Sequence, residues 1–315
     1  MQREINPKAG EIVLKRSFKE HYKELLGDKY EEFLRYSFIY PRQSIRVNTL
    51  KISTAELRKR LAPEWKLTPI PWCREGFWIE GKRRDIGNLP EHVLGYFYVQ
   101  DASSMIPPIV MAPQPGDIVL DMAAAPGSKA GQIAQYMQNK GILVANDWKP
   151  DRIAVLGINL QRCGASNVVI TQMNALAFRE TPVFDKVLID APCSGTGTIS
   201  KSLKTVLIWN PGMLRRLAST QAKLLRKAYM LAKPGGTIVY STCSVEPEEN
   251  ELVVNSLLEE FPNAEVSPVN IKVHSSEPVL TYRDVPMHRQ IANALRLYPQ
   301  DNDTEGFFVA KILKP

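Results

Sequence analysis

The sequence predicts an α/β protein in which a doubly wound, mainly parallel sheet follows a small α+β unit. Three observations carry that reading. From about residue 115 onward, five short apolar runs recur, each suited to a buried parallel strand, and helical stretches separate most of them. Before about residue 95 the rhythm differs, with an amphipathic helical stretch, an alternating strand and a series of short strands and turns. Finally, every apolar run of the second part ends on a carboxylate, an amide or a thiol. In an open α/β sheet that edge is where ligands bind.

Taken in order, residues 11–40 read as helical, with Leu14, Phe18, Tyr22, Leu25 and Leu26 at helical spacing and Gly27-Asp28 as punctuation. "SIRVNTLK" (44–51) alternates like a strand, and "STAELRKRL" (53–61) opens with a capping-box pattern from Ser53 to Glu56. "KLTPIPWCREGFWIEG" (66–81) reads as short strands and turns. Residues 1–95 are assigned to this first unit and 96–315 to the second. The five runs are "DIVLDM" (117–122), "GILVAND" (141–147), "NVVITQMN" (167–174), "FDKVLID" (184–190) and "TIVYSTC" (237–243). Between them, "SKAGQIAQYMQ" puts Ala130, Ile133, Ala134 and Met137 on one helical face. "MLRRLASTQAKLLRKAYMLAK" does the same with Leu214, Leu217, Leu224, Ala228 and Leu231, and Pro234-Gly235 stops it. "GFFVAKILK" (306–314) reads as one last strand.

Composition narrows the function classes. No run approaches the roughly 18 apolar residues of a membrane span. The opening "MQREINPKAG" lacks the apolar core of a signal peptide, so a cytoplasmic protein is expected. Its four cysteines then stay reduced, and with no C-x-x-C pair or Cys/His cluster no metal is expected. Net charge is +7, and all of the excess lies in residues 1–90, which hold 19 Lys and Arg against 12 Asp and Glu. Trp65, Trp72 and Trp78 lie there too. Basic charge mixed with aromatic rings suits nucleic acid, with Arg42, Arg46, Lys51 and the "RKR" at 58–60 as candidate contacts. Composition alone leaves a solvated basic face over an aromatic core equally open.

The polar strand ends are Asp121 with the loop "MAAAPGSK", Asp147, Asn174, Asp190 with Cys193, and Cys243. The small residues Ala123, Ala124, Ala125, Pro126, Gly127 and Ser128 let backbone approach a ligand at a helix start. The loop has neither Walker nor G-x-G-x-x-G spacing, and alone it also suits a plain strand–helix turn. Asp147 follows about 20 residues later, where a nucleotide-binding unit places an acid on ribose hydroxyls. Together they favour a nucleoside cofactor such as S-adenosylmethionine over a dinucleotide. Cys73 and Cys163 read as buried small hydrophobes. Cys193 and Cys243 stand at the cofactor edge, where a thiol pair has a specific use. Carbon 5 of cytosine cannot attack a methyl sulfonium unaided; a thiolate added at carbon 6 makes it nucleophilic. Asp190 is placed to protonate cytosine N3, and the second thiol to assist proton removal or thiolate release.

At these residues the chain resembles the Sun/nucleolar-protein family of RNA cytosine-5 methyltransferases. "YVQDASSM" (98–105), "VLDMAAAPGSKA", "VLIDAPCSGTG", "IVYSTCSVEPEENE" and "GFFVAKI" follow one another in the family's order, and "SIRVNTLK" resembles its N-terminal RNA-binding segment. The resemblance implies a class I S-adenosylmethionine-dependent methyltransferase with a Rossmann-like sheet. It implies Cys243 as nucleophile, Cys193 as the thiol that aids release, Asp190 as activator of the base and Lys129 lining the site. The residues from Ala123 to Lys129, with Asp147, Arg152, Asn174 and Asp190, would hold the cofactor. Ala123, Ser128 and Ala130 stand where the family usually has Cys, Gly and Thr, Asn174 where it has Asp, and Gln300 where it often has His. The length resembles the compact archaeal enzymes acting on transfer RNA. The expected partner is therefore RNA, transfer RNA first; the oligomeric state is not read from the sequence, a monomer being favoured. The alternatives are a ribosomal-RNA cytosine-5 methyltransferase and a non-catalytic RNA-binding or ribosome-assembly factor. A DNA cytosine methyltransferase is a third, against which the Thr-Cys thiol speaks.

Overall fold

The computed structural model describes residues 4–81 and 85–315. Four basic residues of the N-terminal excess, Arg3, Lys82, Arg83 and Arg84, lie outside the described residues. The chain begins with α1 (Arg16–Leu26) and α2 (Tyr30–Ser37), followed by β1 (Ser44–Val47), α3 (Thr54–Leu61), β2 (Trp65–Ile70), β3 (Cys73–Gly81), α4 (Pro90–Val93) and β4 (Phe97–Val99). The four strands form an antiparallel sheet in the order β2-β3-β1-β4. Because β4 pairs with β1 through Val99, this sheet ends a few residues beyond the boundary expected at 95. Alternation puts Ile45, Val47, Phe77 and Ile79 into one core with Leu57 and Leu61 of α3. The Ser53 hydroxyl accepts from the Glu56 N–H at 3.2 Å and caps α3. Ser53→Ala should therefore lower stability by about 1 kcal/mol in chemical denaturation.

The second part contains α5 (Ile106–Met111), β5 (Ile118–Asp121), α6 (Ser128–Tyr136), β6 (Ile142–Asp147), α7 (Pro150–Cys163), β7 (Val168–Gln172) and β8 (Phe184–Asp190). It continues with α8 (Lys204–Ile208), α9 (Pro211–Leu231), β9 (Ala232–Thr242), α10 (Glu251–Glu260) and β10 (Glu265–Ser267). The hairpin β11 (Thr281–Tyr282) and β12 (Val285–Pro286), then β13 (Leu295–Leu297), α11 (Pro299–Asn302) and β14 (Phe307–Leu313), complete it. The large sheet has the order β10-β14-β9-β8-β5-β6-β7, with β5 to β9 parallel and β14 antiparallel to β9. Successive residues of its central strands enter opposite cores. Leu188 packs beneath α6 and α7 with Ala130, Ile133 and Leu156, whereas Val187 and Ile189 pack against α9 and α10 with Leu225, Ala228 and Val254. Burial on both faces explains why these strands read as continuous apolar runs.

Three regions depart from expectation. β7 is an edge strand, so Val169 and Ile170 are exposed rather than buried. Leu217 lies only partly buried on α9, and β9 starts directly after that helix, absorbing Pro234-Gly235 in a register shift against β8. The helices α1 and α2 do not cover the N-terminal sheet. Phe18, Tyr22, Tyr30 and Phe33 pack instead on Trp209, Leu214, Val245 and Tyr298 of the second part. Each apolar side chain buried this way contributes about 1.5–3 kcal/mol, so the first residues of the chain brace the segment that follows β9.

The segment "RVNTLK" also differs from its expected role on RNA. Arg46 is 1% exposed, and its guanidinium donates to Gln100 at 2.9 Å, to Gln135 and to the carbonyl of Ser128 at 3.3 Å. Asn48 Nδ2 donates to the carbonyls of Gly95 and Cys163. Lys51 Nζ reaches the carbonyls of Leu94 and Arg162 at 3.0 and 2.7 Å. These three side chains join the two parts of the chain. Buried charge needs such partners, and they leave Arg46 no access to phosphate.

Candidate active site

Two strand ends bring the thiols together. β8 ends at Asp190 and β9 at Thr242, and these neighbouring strands are paired in register, Asp190 against Ser241. The turns that follow place Cys193 Sγ 3.0 Å from Cys243 Sγ, both free and part-exposed. A buried carboxylate fixes the two turns to each other. Glu249 accepts from the Ser194 N–H at 2.9 Å, from the hydroxyls of Ser194 and Ser244, and from Gln221 Nε2 at 3.0 Å. Thr196 adds a hydroxyl contact to Ser244 and accepts from the Val245 N–H at 3.1 Å. Gly197 is required by close approach. Its N–H donates to the Cys243 carbonyl at 2.9 Å, and an added Cβ would lie 2.2 Å from the Gly306 carbonyl.

Beside the thiols, Lys129 Nζ donates to Asp190 Oδ2 at 2.7 Å and to Ser104 Oγ at 2.9 Å, while Ser241 Oγ donates to Asp190 Oδ1 at 2.9 Å. Burial disfavours the Lys129 charge, but Asp190 and then Asp121 outweigh it, and its pKa is raised. The Cys193 thiol is pushed well up, first by its hydrogen bond to Cys243 and second by burial. Cys193 is therefore held as the thiol, in contact with the Cys243 sulfur. Burial pushes the Cys73 thiol up to about 12, as befits an inert core cysteine, and Cys163 is likewise buried.

The loop from Ala123 to Ser128 runs from β5 into α6, which begins at Ser128 after Gly127 at φ 105°. Ala124 N–H donates to the Asn146 carbonyl at 2.7 Å, and Ala125 N–H to Asp147 Oδ2 at 3.2 Å. Arg152 donates to the Ala125 carbonyl and lies 3.4 Å from Asp147, so it braces the loop from outside. Pro126 is exposed, with its carbonyl taken by Asn159. Asn174 is exposed, and its Oδ1 caps the following turn at Leu176 N–H. Asp121, Asp147 and Asp190 thus line one edge of the sheet, with Lys129 and Arg152 as their paired cations. Asp121 Oδ2 is buried without a hydrogen-bond partner. This acid-rich edge fits a cofactor that carries a sulfonium and an ammonium, and it suits a pyrophosphate poorly.

Burial, then Asp190, push the Asp121 carboxyl up to about 7. An acid whose folded pKa lies above its unfolded value of about 3.9 costs stability as pH rises between the two. The cofactor-free protein should lose stability from about pH 4 to pH 7, by a few kcal/mol at most. Asp121→Asn should remove this loss. Thermal unfolding at pH 5 and pH 8 checks it, and an equal loss in both proteins would contradict the assignment.

Ser104, Ser241, Glu249 and Asn146 were not singled out from the sequence. Ser104, Ser241 and Glu249 nevertheless lie inside the quoted "YVQDASSM" and "IVYSTCSVEPEENE" segments, and Asn146 is the residue before Asp147. Asn146, fully buried, donates to the carbonyls of Met122 and Met173 and ties the ends of β5, β6 and β7 together. His21, Glu246 and Glu248 bring ligand-type atoms within 4.8 Å of one another. Glu246 is already occupied there by hydrogen bonds from His21, Tyr22 and Trp209.

A doubly wound sheet with an antiparallel β14 and an acid-lined cofactor edge defines an S-adenosylmethionine-dependent methyltransferase of the Rossmann-like class. Residues 108–313 match the family described as 16S rRNA methyltransferase RsmB/F, and residues 14–102 match the N-terminal domain of 16S rRNA methyltransferase RsmF. The chain belongs to the RsmB/F family. It is 44% identical over 298 residues to the tRNA (cytosine(49)-C(5))-methyltransferase of Pyrococcus abyssi, covering 94% of this chain and 95% of that protein. It is 41% identical over 310 residues to the ribosomal RNA small subunit methyltransferase F of Erwinia tasmaniensis, covering 95% of this chain but 63% of that protein. A crystal structure of a methyltransferase homolog protein from Pyrococcus horikoshii superposes with a TM-score of 0.87 at 38% identity, covering 98% of each chain. NSun6 from Pyrococcus horikoshii, solved with SFG, shares the fold at a TM-score of 0.83 and 24% identity over 95% of this chain and 98% of that chain.

Proposed function

We propose that this protein methylates carbon 5 of a cytosine in RNA, through a covalent adduct on Cys243, and that its substrate is transfer RNA at the position named for the Pyrococcus abyssi relative. One observation carries the reading: two free thiols from adjacent strand ends lie 3.0 Å apart, beside the Lys129–Asp190 pair. A pure RNA binder has no use for that arrangement. The N-terminal part, through the sheet that ends at Val99, serves as the RNA-binding domain and the part after it as the methyltransferase domain.

S-adenosylmethionine, when bound, supplies the methyl group. The Cys243 thiolate adds to carbon 6, forming the S–C bond and turning carbons 4 to 6 into an enamine. Asp190, fed by Lys129, sets a proton on N3 and lowers the barrier to addition. After carbon 5 has been methylated, its proton must leave and the S–C bond must break. Cys193 is placed for this step, with its sulfur 3.0 Å from Cys243 Sγ and so beside the S–C bond that must break. Cys193 then yields its proton to solvent and takes the one from carbon 5. Cys243 departs as thiolate, the N3 proton returns to the Asp190–Lys129 pair, and one proton is released per methyl transferred.

The test uses unmodified transfer-RNA and small-subunit ribosomal-RNA transcripts, with 5-methylcytosine mapped by bisulfite sequencing. A mark in the transfer RNA is expected. A mark in the ribosomal RNA alone would give the second reading, which the bacterial relatives motivate. Transfer to neither would favour the non-catalytic RNA-binding factor.

A further inference from the structure

Residues 91–315 are neutral overall, but their charge is unevenly placed. From Ala191 to Val245, the stretch that joins the two thiol segments, the chain holds eight Lys and Arg and no Asp or Glu. Both of its helices touch the thiol turns. On α8, the Thr205 hydroxyl lies 3.7 Å from where a Cβ on Gly195 would stand, so this helix abuts the turn that carries Cys193. On α9, Gln221 Nε2 donates to the Pro192 carbonyl at 2.9 Å. Because α9 connects the parallel strands β8 and β9, it starts from the sheet edge where β8 ends. The ten residues of α9 that precede Gln221, about 15 Å of helix, therefore extend past that edge. Leu214 among them joins the apolar cluster of Trp209 and Val245, and Val245 stands two residues beyond Cys243.

Carboxylates already take half of these cations. Lys201 pairs with Glu305, Lys227 with Glu180 at 2.8 Å, Arg226 with Glu260 at 2.7 Å and Lys233 with Asp185 at 2.7 Å. Lys204, Arg215, Arg216 and Lys223 are exposed, and none has a carboxylate partner among the described residues. Three of them, Lys204, Arg215 and Arg216, stand on α8 and on the part of α9 that passes the sheet edge. Arg216 folds back toward the start of its helix, with a guanidinium nitrogen 3.7 Å from where a Cβ on Gly212 would stand. The nearest acids along the chain do not offset these charges, since Glu246 and Glu249 are fully buried and Asp190 is paired with Lys129. A face of one sign beside a reaction centre draws in a polyanion, and for RNA the charge to be met is phosphate.

We infer that α8 and the first turns of α9 bind the RNA backbone next to the target cytosine, with Lys204, Arg215 and Arg216 on its phosphates. The methyltransferase part thus grips the strand it modifies, in addition to the N-terminal domain. The inference takes its partner from the RNA-methyltransferase reading above. Lys204→Gln/Arg215→Gln/Arg216→Gln deletes three charges from this face. Arg226→Gln/Lys227→Gln/Lys233→Gln deletes three paired charges at the other end of the same stretch and serves as the charge-matched control. Kd for unmodified transfer-RNA and small-subunit ribosomal-RNA transcripts is measured between about 50 and 200 mM KCl, where each phosphate contact adds ~0.7–0.9 to the slope of log K against log salt. The first variant should flatten that slope by about two and raise Kd about tenfold or more. Its kcat at saturating RNA should stay within about twofold, with the S-adenosylmethionine melting shift unchanged. The control should keep the wild-type slope. An unchanged slope in the first variant, an equal change in the control, or a loss confined to kcat overturns the surface and leaves the methyltransferase reading intact. Methylation of neither RNA by the wild type overturns that reading, while the slope still decides whether this face binds RNA.

Discussion

Replacing Cys243 by alanine should abolish methyl transfer, lowering it at least about a thousandfold, while S-adenosylmethionine still binds. The expectation follows from how little of the fold hangs on this side chain. The Cys243 backbone is held by its carbonyl on Gly197, and the residues after it by Glu249, Ser244 and Thr196. The Sγ atom contacts Cys193 alone among the described hydrogen bonds. The acid-lined edge of Asp121, Asp147 and the 123–128 loop belongs to other strands. A melting shift with S-adenosylmethionine, retained in the variant, separates lost chemistry from lost folding. Measurable turnover without Cys243 would remove it as the nucleophile.

The second large effect concerns stability. Arg296 is 1% exposed, and both sides of its guanidinium meet Glu251, with Nε to Oε1 at 2.6 Å. Its third nitrogen donates to the Val245 carbonyl at 2.7 Å, two residues beyond Cys243. Glu251→Leu leaves that guanidinium buried without its carboxylate. The loss should be about 3–5 kcal/mol, or a fall in Tm on the order of 10 °C. The double variant Glu251→Leu/Arg296→Met replaces both charges with apolar groups and should recover most of it. A double variant no more stable than the single would mean that the carbonyl contact, not the paired charge, carries the stability.

The candidate site was legible because its residues end apolar runs. Asp190, Cys193 and Cys243 follow strands that the pattern already marked, and a parallel sheet must gather such ends on one edge. Lys129 lay just past the loop that starts α6. The supports were not legible, because their partners are distant in sequence. Ser104 reaches Lys129 from 25 residues away, and Glu249 reaches Ser194 across 55. Arg46 sits in an alternating strand and reads as surface charge. Only the folded chain supplies Gln100, Gln135 and the Ser128 carbonyl that let it be buried. The packing of α1 and α2 was hidden for the same reason. An amphipathic face announces that it will be covered but not by what, and here the cover is Trp209 and the segment after Cys243.

The order of events at the two thiols is the centre of this account, and trapping tests it most directly. Cys193→Ala, incubated with RNA and S-adenosylmethionine and run on a denaturing gel, should migrate as a protein–RNA adduct, and the attached RNA should reveal the methylated cytosine. The Cys193→Ala/Cys243→Ala protein should show no adduct. An adduct that persists without Cys243, or a Cys193→Ala protein that turns over freely, would contradict it.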